Sequence, residues 1–363
     1  MLNHLLSGDL PRSRVLALML VVILAGLLLT PFIFPGAKAL NVAAKICIFI
    51  VLVSSFDLLL GYTGIVSFAH TMFFGIGAYG IAIALTRFGP TWQGVAVGVV
   101  AALAVSLVLS LVIGLFSLRV KAMFYAMITL AVASAFMTMA SQFSEFTGGE
   151  DGLSFKVPEL LTPGFSLREA PFLGVSLDGK LITFYLLIAV TVVLFLVMLR
   201  IVNSPFGRVL QAIRENEFRA EALGYRTVSY RTSSNVLSAM FATLAGTLLA
   251  LWLRYNGPDT SLSFEIMVDL LLMVVIGGMG TLYGSVVGAA LFIVAQNYLQ
   301  DLMKLAGNAA AGIPLLRDLV HPDRWLLWLG ILFILSVYRF PAGIVGNLRL
   351  SAWRKRTQAA REG

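Results

Sequence analysis

The chain alternates long apolar runs with short polar breaks. Ten runs stand out: 15–34, 40–60, 64–86, 92–116, 121–140, 181–202, 233–253, 265–278, 282–300 and 325–340. Most are continuous over about 15–25 residues, whereas a barrel strand would alternate over about ten. Lipid offers the backbone no hydrogen-bond partner, so the spans are expected to be helices. The predicted fold class is all-α: a polytopic membrane helical bundle with glycine-broken helices.

Two places depart from a simple run. In DLLLGYTGIVSFAHTMFFGIGAYG, residues 57–80, Gly61-Tyr62-Thr63-Gly64 interrupts the apolar character, and Ser67 and His70 follow. From Glu265 to Gln300 is 36 residues, too many for one span of about 20. Splitting it at Gly277-Gly278-Met279-Gly280 gives two short pieces. Such breaks point to discontinuous helices around a transport site. They also suit close glycine packing between helices. Asp57-Leu-Leu-Leu before the first cluster resembles Asp269-Leu-Leu-Leu before the second, a hint of internal repetition. Intramembrane acids are functional candidates, so Asp57 and Asp269 join the list. Asp269 lies four residues after Glu265, on the same helix face and near the outer end of its segment. Lys45 is expected to snorkel outward.

Composition changes the picture little. The 363 residues are 59% hydrophobic and 12% charged, against roughly 25% charged in a soluble domain. Arg12 and Arg14 precede the run from Val15 to Phe34, and Ala37-Lys38-Ala39 looks like a cleavage site. That run exceeds the 7–15 residues of a signal-peptide core, so it is expected to be the first transmembrane helix. The lone cysteine, Cys47, and the scattered His4, His70 and His321 make neither a disulfide framework nor a metal site. No Gly-x-Ser-x-Gly elbow occurs. The net charge of +8 suits cationic loops retained at the membrane better than nucleic acid.

The placement of charge orients the chain. The connection 203–231 holds Arg208, Arg214, Arg219, Arg226 and Arg231, and the C-terminal tail holds Arg349, Arg354, Lys355, Arg356 and Arg361. The loop 141–180 has Lys156, Arg168 and Lys180 against Glu145, Glu150, Asp151, Glu159, Glu169 and Asp178. The positive-inside rule puts the first two in the cytoplasm and the third outside. Ten spans with both termini inside satisfy all three.

The stretch SPFGRVLQAIRENEFRAEALGYRTVSYR, residues 204–231, predicts one amphipathic helix from Pro205 to Leu223. Ser204 caps it, Pro205 opens it and Gly224 stops it. Phe206, Val209, Leu210, Ile213, Ala220 and Leu223 share one side. Arg214, Glu215, Glu217 and Glu221 give it a charged face. A helix lying on anionic lipid would suit fewer acids there. A docking helix for a soluble partner fits better.

Four stretches resemble the permease subunit of branched-chain amino-acid ABC importers, a group that also handles urea and short amides. They are GYTGIVSFAHTMFFGIGAY (61–79), TGGEDGL (147–153), SPFGRVLQAIRENEFRAEALG (204–224) and VDLLLMVVIGGMGTLYGSVVGAAL (268–291). The family commonly carries Asn, Gln, Gly, Ser and Glu where this chain has Asp57, Ile65, Ala69, Glu150 and Asp269. The resemblance implies one permease domain over 1–363, with an extracytoplasmic loop at 141–180, an ATPase-coupling loop at 203–231 and a basic tail at 341–363. It implies a bacterial inner-membrane location, a second related permease, two cytoplasmic ATPase subunits and an extracytoplasmic binding protein. It assigns ATPase coupling to the region of Ser204, Pro205, Gly207, Arg208, Arg214, Glu217, Glu221, Ala222 and Gly224. No cofactor is expected on this chain, since ATP and Mg²⁺ belong to the ATPase. The string Gly174 to Leu181 has P-loop spacing but Leu181 where Ser or Thr must bind magnesium. A zwitterionic substrate needs polar contacts in the apolar layer, which a broken helix supplies from its backbone. The expected pathway set is therefore Asp57, Gly61, Tyr62, Thr63, Gly64, Ser67, His70, Asp269, Gly277, Gly278 and Gly280. Ser67 reads rather as small-residue packing and His70 rather as an inter-helix hydrogen bond.

Overall fold

The computed structural model describes residues 13–34, 36–117, 122–165, 178–309 and 321–349. Arg12, Arg168, Glu169, residues 174–177 of the glycine-lysine string and the tail beyond Arg349 lie outside the described residues. Ten described helices are long and apolar enough to cross a membrane. They overlap the ten runs one for one, with ends displaced by up to nine residues. By contact the described chain divides into two units, 26–270 and 13–25 with 271–349.

The N-terminal helix α1 covers Arg14–Ile33 and straddles that division. In the first unit follow α2 (Ala37–Thr63), α3 (His70–Phe88), α4 (Trp92–Ser117) and α5 (Ala122–Gln142). After a short turn, α6 (Ser144–Thr147), come α7 (Gly179–Asn203), α8 (Pro205–Glu215), α9 (Glu217–Ala222) and α10 (Thr227–Leu253). The centre is formed by α10, which packs on both α2 and α3; α4 joins α3 and α10, and α7 lies on α2. These central helices are buried nearly all round, as their continuous apolar sequence requires.

Small residues set the approach of α3 to α10. A Cβ at Gly77 would fall on the Thr243 carbonyl, and one at Gly246 on the Phe74 carbonyl. The backbones therefore touch, as membrane helices do where no side chain intervenes. Polar side chains bridge the same bundle. Ser106 Oγ lies 2.6 Å from Thr243 Oγ1, and Asn235 Nδ2 donates to the Ser110 carbonyl at 2.9 Å. Thr191 Oγ1 donates to the Cys47 carbonyl at 3.2 Å, joining α7 to α2. The outward faces of α4 and α5 expose Val100, Val108, Met123 and Met127, a surface suited to hydrocarbon.

One two-stranded ladder lies among the described residues. β1 (Leu153–Ser154) pairs antiparallel with β2 (Tyr255–Asn256), Leu153 opposite Asn256. This ties the acidic segment after α5 to the end of α10. The connection 204–226 meets the start of α10 instead. A 27-residue helix is about 40 Å long, so the two segments lie at opposite ends.

The C-terminal part begins with α11 (Pro258–Ser261) and α12 (Phe264–Gly277), the latter crossing the division at Leu270. The second unit continues with α13 (Leu282–Ala309) and α14 (Trp325–Arg339). Here too the backbones touch: a Cβ at Gly277 would strike the Gly284 carbonyl, and one at Gly288 the Met273 carbonyl. Within this unit Arg349 lies over the Tyr283 ring, 5.7 Å from its centroid.

Candidate functional site

The 204–224 connection is two helices, which corrects the single helix expected from Pro205 to Leu223. Ser204 opens α8, its hydroxyl accepting from Gly207 N at 3.4 Å. Asn216 divides the stretch, with φ −159° and ψ 100°. Its N–H donates to the Ala212 carbonyl at 3.0 Å, and its Oδ1 accepts from Arg219 N at 3.0 Å. Asn favours such caps because its short amide competes with the helix for backbone partners. The break alters the expected apolar stripe. Leu210, Ile213 and Ala220 are buried, but Leu223 is 72% exposed and Phe218 85% exposed. Gly224 has φ +90°, the left-handed stop anticipated for it. Gly224 N donates to the Glu221 carbonyl at 2.8 Å and Tyr225 N to the Ala220 carbonyl at 3.1 Å.

The expected coupling residues divide by direction. Pro205, Arg208, Arg214, Glu221, Ala222 and Gly224 are exposed. Gly207 is buried, and a Cβ there would strike the Val202 carbonyl. Glu217 pairs with Arg231 at 2.6 Å, and Glu221 accepts from Thr227 Oγ1 at 2.8 Å. Both acids thus fasten α9 to the first turns of α10. Arg214 Nη1 donates to the carbonyl oxygen of Gly61, at the end of α2.

The break after Asp57 is narrower than expected. Gly61, Tyr62 and Thr63 form the last turn of α2, and the chain leaves the helix at Gly64, φ +77° and ψ 20°. Gly64 N donates to the Leu60 carbonyl at 3.1 Å and Ile65 N to the Leu59 carbonyl at 3.2 Å. These bonds hold the last turn helical through Thr63, so the interruption is confined to Gly64–Ala69. Because Arg214 reaches Gly61, this break shares one end of the bundle with the 204–224 connection.

The polar side chains around the break turn into the bundle. Asp57 is fully buried. Thr63 Oγ1 lies 2.8 Å from Ser234 Oγ on α10. Ser67 is buried beside the Tyr125 hydroxyl, which donates to Asn235 Oδ1 at 3.1 Å. Phe68 N donates to Thr129 Oγ1 on α5 at 3.0 Å. His70 Nε2 is 2.8 Å from Ser55 Oγ, and its ring packs 5.2 Å from Phe56. The inter-helix bond that the sequence allowed for His70 is therefore formed. Tyr125, Ser234 and Asn235 were not singled out from sequence. Ser234, Asn235 and Ser238 within an apolar run were the available signal, since a buried polar stripe on a membrane helix needs partners.

Asp269 is partly buried, within electrostatic reach of Lys45. Lys45 does not simply snorkel outward, as expected. It is partly buried, with Nζ 5.5 Å from the Phe49 ring centroid. In the second unit α12 stops at Gly277. Gly278 and Gly280 take positive φ, +118° and +77°, before α13 begins at Leu282. Thr281 Oγ1 donates to the Gly278 carbonyl at 2.7 Å. Among the described residues no cluster of His, Cys, Asp or Glu could hold a metal ion.

A multi-pass helical bundle with two glycine breaks, one clasped by an amphipathic connection, has the features of a transport subunit. Residues 38–337 match the family described as branched-chain amino acid transport system / permease component, and the chain belongs to that family. A high-affinity branched-chain amino acid transport system permease protein, LivM of Escherichia coli K12, is 28% identical over 320 residues, 84% of this chain and 74% of that protein. LivM of Salmonella typhimurium is 27% identical over 300 residues, 78% of this chain and 69% of that protein. BraD of Pseudomonas aeruginosa, described in the same terms, is 26% identical over 304 residues, 80% of this chain and 89% of that protein. No solved structure matches the chain significantly.

Proposed function

We propose that this chain is the permease subunit of an ATP-driven importer for branched-chain or other apolar amino acids. The observation that carries the reading is the family match over 38–337, together with relatives named as branched-chain amino acid permeases. In this reading the chain lies in a bacterial inner membrane with both termini cytoplasmic. It forms the pathway with a second permease and takes substrate from an extracytoplasmic binding protein. Residues 61–64, at the end of α2, and 277–280, with Asp57, Ser67, His70 and Asp269, line or flank that pathway. ATP and Mg²⁺ bind two ATPase subunits, and this chain holds no cofactor. The exposed Phe218 and Leu223 offer an apolar contact for the ATPase, and the exposed Arg208 a charged one.

The test is uptake by the reconstituted complex, with ATP and binding protein but no ion gradient. Labelled leucine, isoleucine or valine is expected to accumulate. Accumulation of urea or acetamide instead would move the substrate to short amides. Uptake that needs a proton or Na⁺ gradient and ignores ATP would overturn the reading.

A further inference from the structure

We infer that Arg214 is a positioning residue that links the 204–224 connection to the break between α2 and α3. The inference rests on the transport reading above. Arg214 sits in the last turn of α8 and directs its guanidinium to the Gly61 carbonyl. The last carbonyls of a helix have no partner within it, and a cation there complements the helix dipole. The stem of the same side chain covers Gly64: a Cβ on Gly64 would lie 3.1 Å from Arg214 Cγ. One residue therefore touches both the last turn of α2 and the point where that helix stops.

What lies on either side makes this contact a route. On the α8 side, buried Leu210 and Ile213 seat the helix against the bundle, so α8 and Arg214 move together. On the α2 side, Thr63 is bonded to Ser234 on α10, and Phe68 of the linker to Thr129 on α5. A displacement of α8 thus reaches the linker through a hydrogen-bonded planar group rather than through apolar surfaces that can slide. Arginine suits this because its fork is rigid and remains charged. Arg214 is exposed as a whole, but this contact carries its guanidinium to the end of α2.

The experiment uses the full complex in lipid nanodiscs and vesicles, with amounts of assembled complex matched. It measures amino acid taken up per ATP hydrolysed in wild type, Arg214→Gln and Arg214→Lys. Arg214→Gln is expected to assemble and to lose at least about fivefold in uptake per ATP, the lower end of a typical coupling between sites. Arg214→Lys keeps a charged donor for Gly61 but not the rigid fork, and is expected to recover only part of that loss. Unchanged uptake per ATP in Arg214→Gln overturns the inference. Failure of Arg214→Gln to assemble also overturns it, because Arg214 would then be a structural cap alone. A wild-type complex that shows no ATP-driven uptake fails the transport reading itself, a distinct result.

Discussion

Asp57 is a fully buried acid in the most enclosed helix of the first unit. Two roles compete for it. As a proton or ion carrier it would need its charge; as a hydrogen-bonding group it would need only its shape. The family resemblance favours the second, since Asn commonly stands at this position there. Asn keeps one acceptor and nearly the same volume while removing the charge, whose burial is expensive. Asp57→Asn should therefore retain most ATP-driven uptake. Its dependence on pH, compared at about pH 6 and pH 8 on either side of neutrality, should match wild type. Abolished uptake in a correctly assembled mutant would assign an essential role to the carboxylate.

At the scale of elements, two kinds of glycine make different predictions. Gly77 and Gly246 bring α3 and α10 into backbone contact. A methyl group at Gly77 has nowhere to go, so Gly77→Ala should destabilise the purified subunit by about 1–3 kcal/mol, as overpacking does. A lowered thermal unfolding midpoint would show it; an unchanged midpoint would mean the helices separate without cost. Gly224 is the opposite case. A Cβ there meets nothing within 4 Å, but φ is +90°. Gly224→Val should cost about 1–2 kcal/mol of backbone strain at the end of α9 alone. The bundle's midpoint should hold, while stimulation of ATP hydrolysis by loaded binding protein falls. Normal stimulation in Gly224→Val and in the Glu217→Lys/Glu221→Lys double mutant would reduce this stretch to a surface helix. The stop at Gly224 was legible because glycine is the residue that left-handed closure selects. The division at Asn216 was not, because the apolar spacing from Ile213 to Ala220 fits one continuous helix equally well. The ten spans were legible since hydrocarbon thickness fixes their length. An inter-helix bond for His70 was among the readings the sequence offered, but its partner and those of Thr63 and Ser67 were not legible, because a polar residue in an apolar run does not reveal which neighbour will meet it.

For the whole molecule, the sidedness inferred from charge acquires a structural consequence. The connection with exposed Arg208 and Arg219 meets one end of α10. The segment with exposed Glu145, Glu150, Asp151 and Glu159 is tied to the other end through β1 and β2. If cationic loops are retained inside, the two segments must be reached from opposite faces of the membrane. The lone cysteine makes this testable, since Cys47 is buried and should resist polar maleimides. Phe218→Cys and Leu160→Cys would place thiols at exposed positions of the two segments. A membrane-impermeant maleimide added to spheroplasts should label Leu160→Cys at once and Phe218→Cys only after the membrane is opened. Inside-out vesicles should reverse the order. Labelling of Phe218→Cys alone in sealed spheroplasts would invert the orientation. Labelling of both from one side would break the alternation of spans that joins α5, α7 and α10.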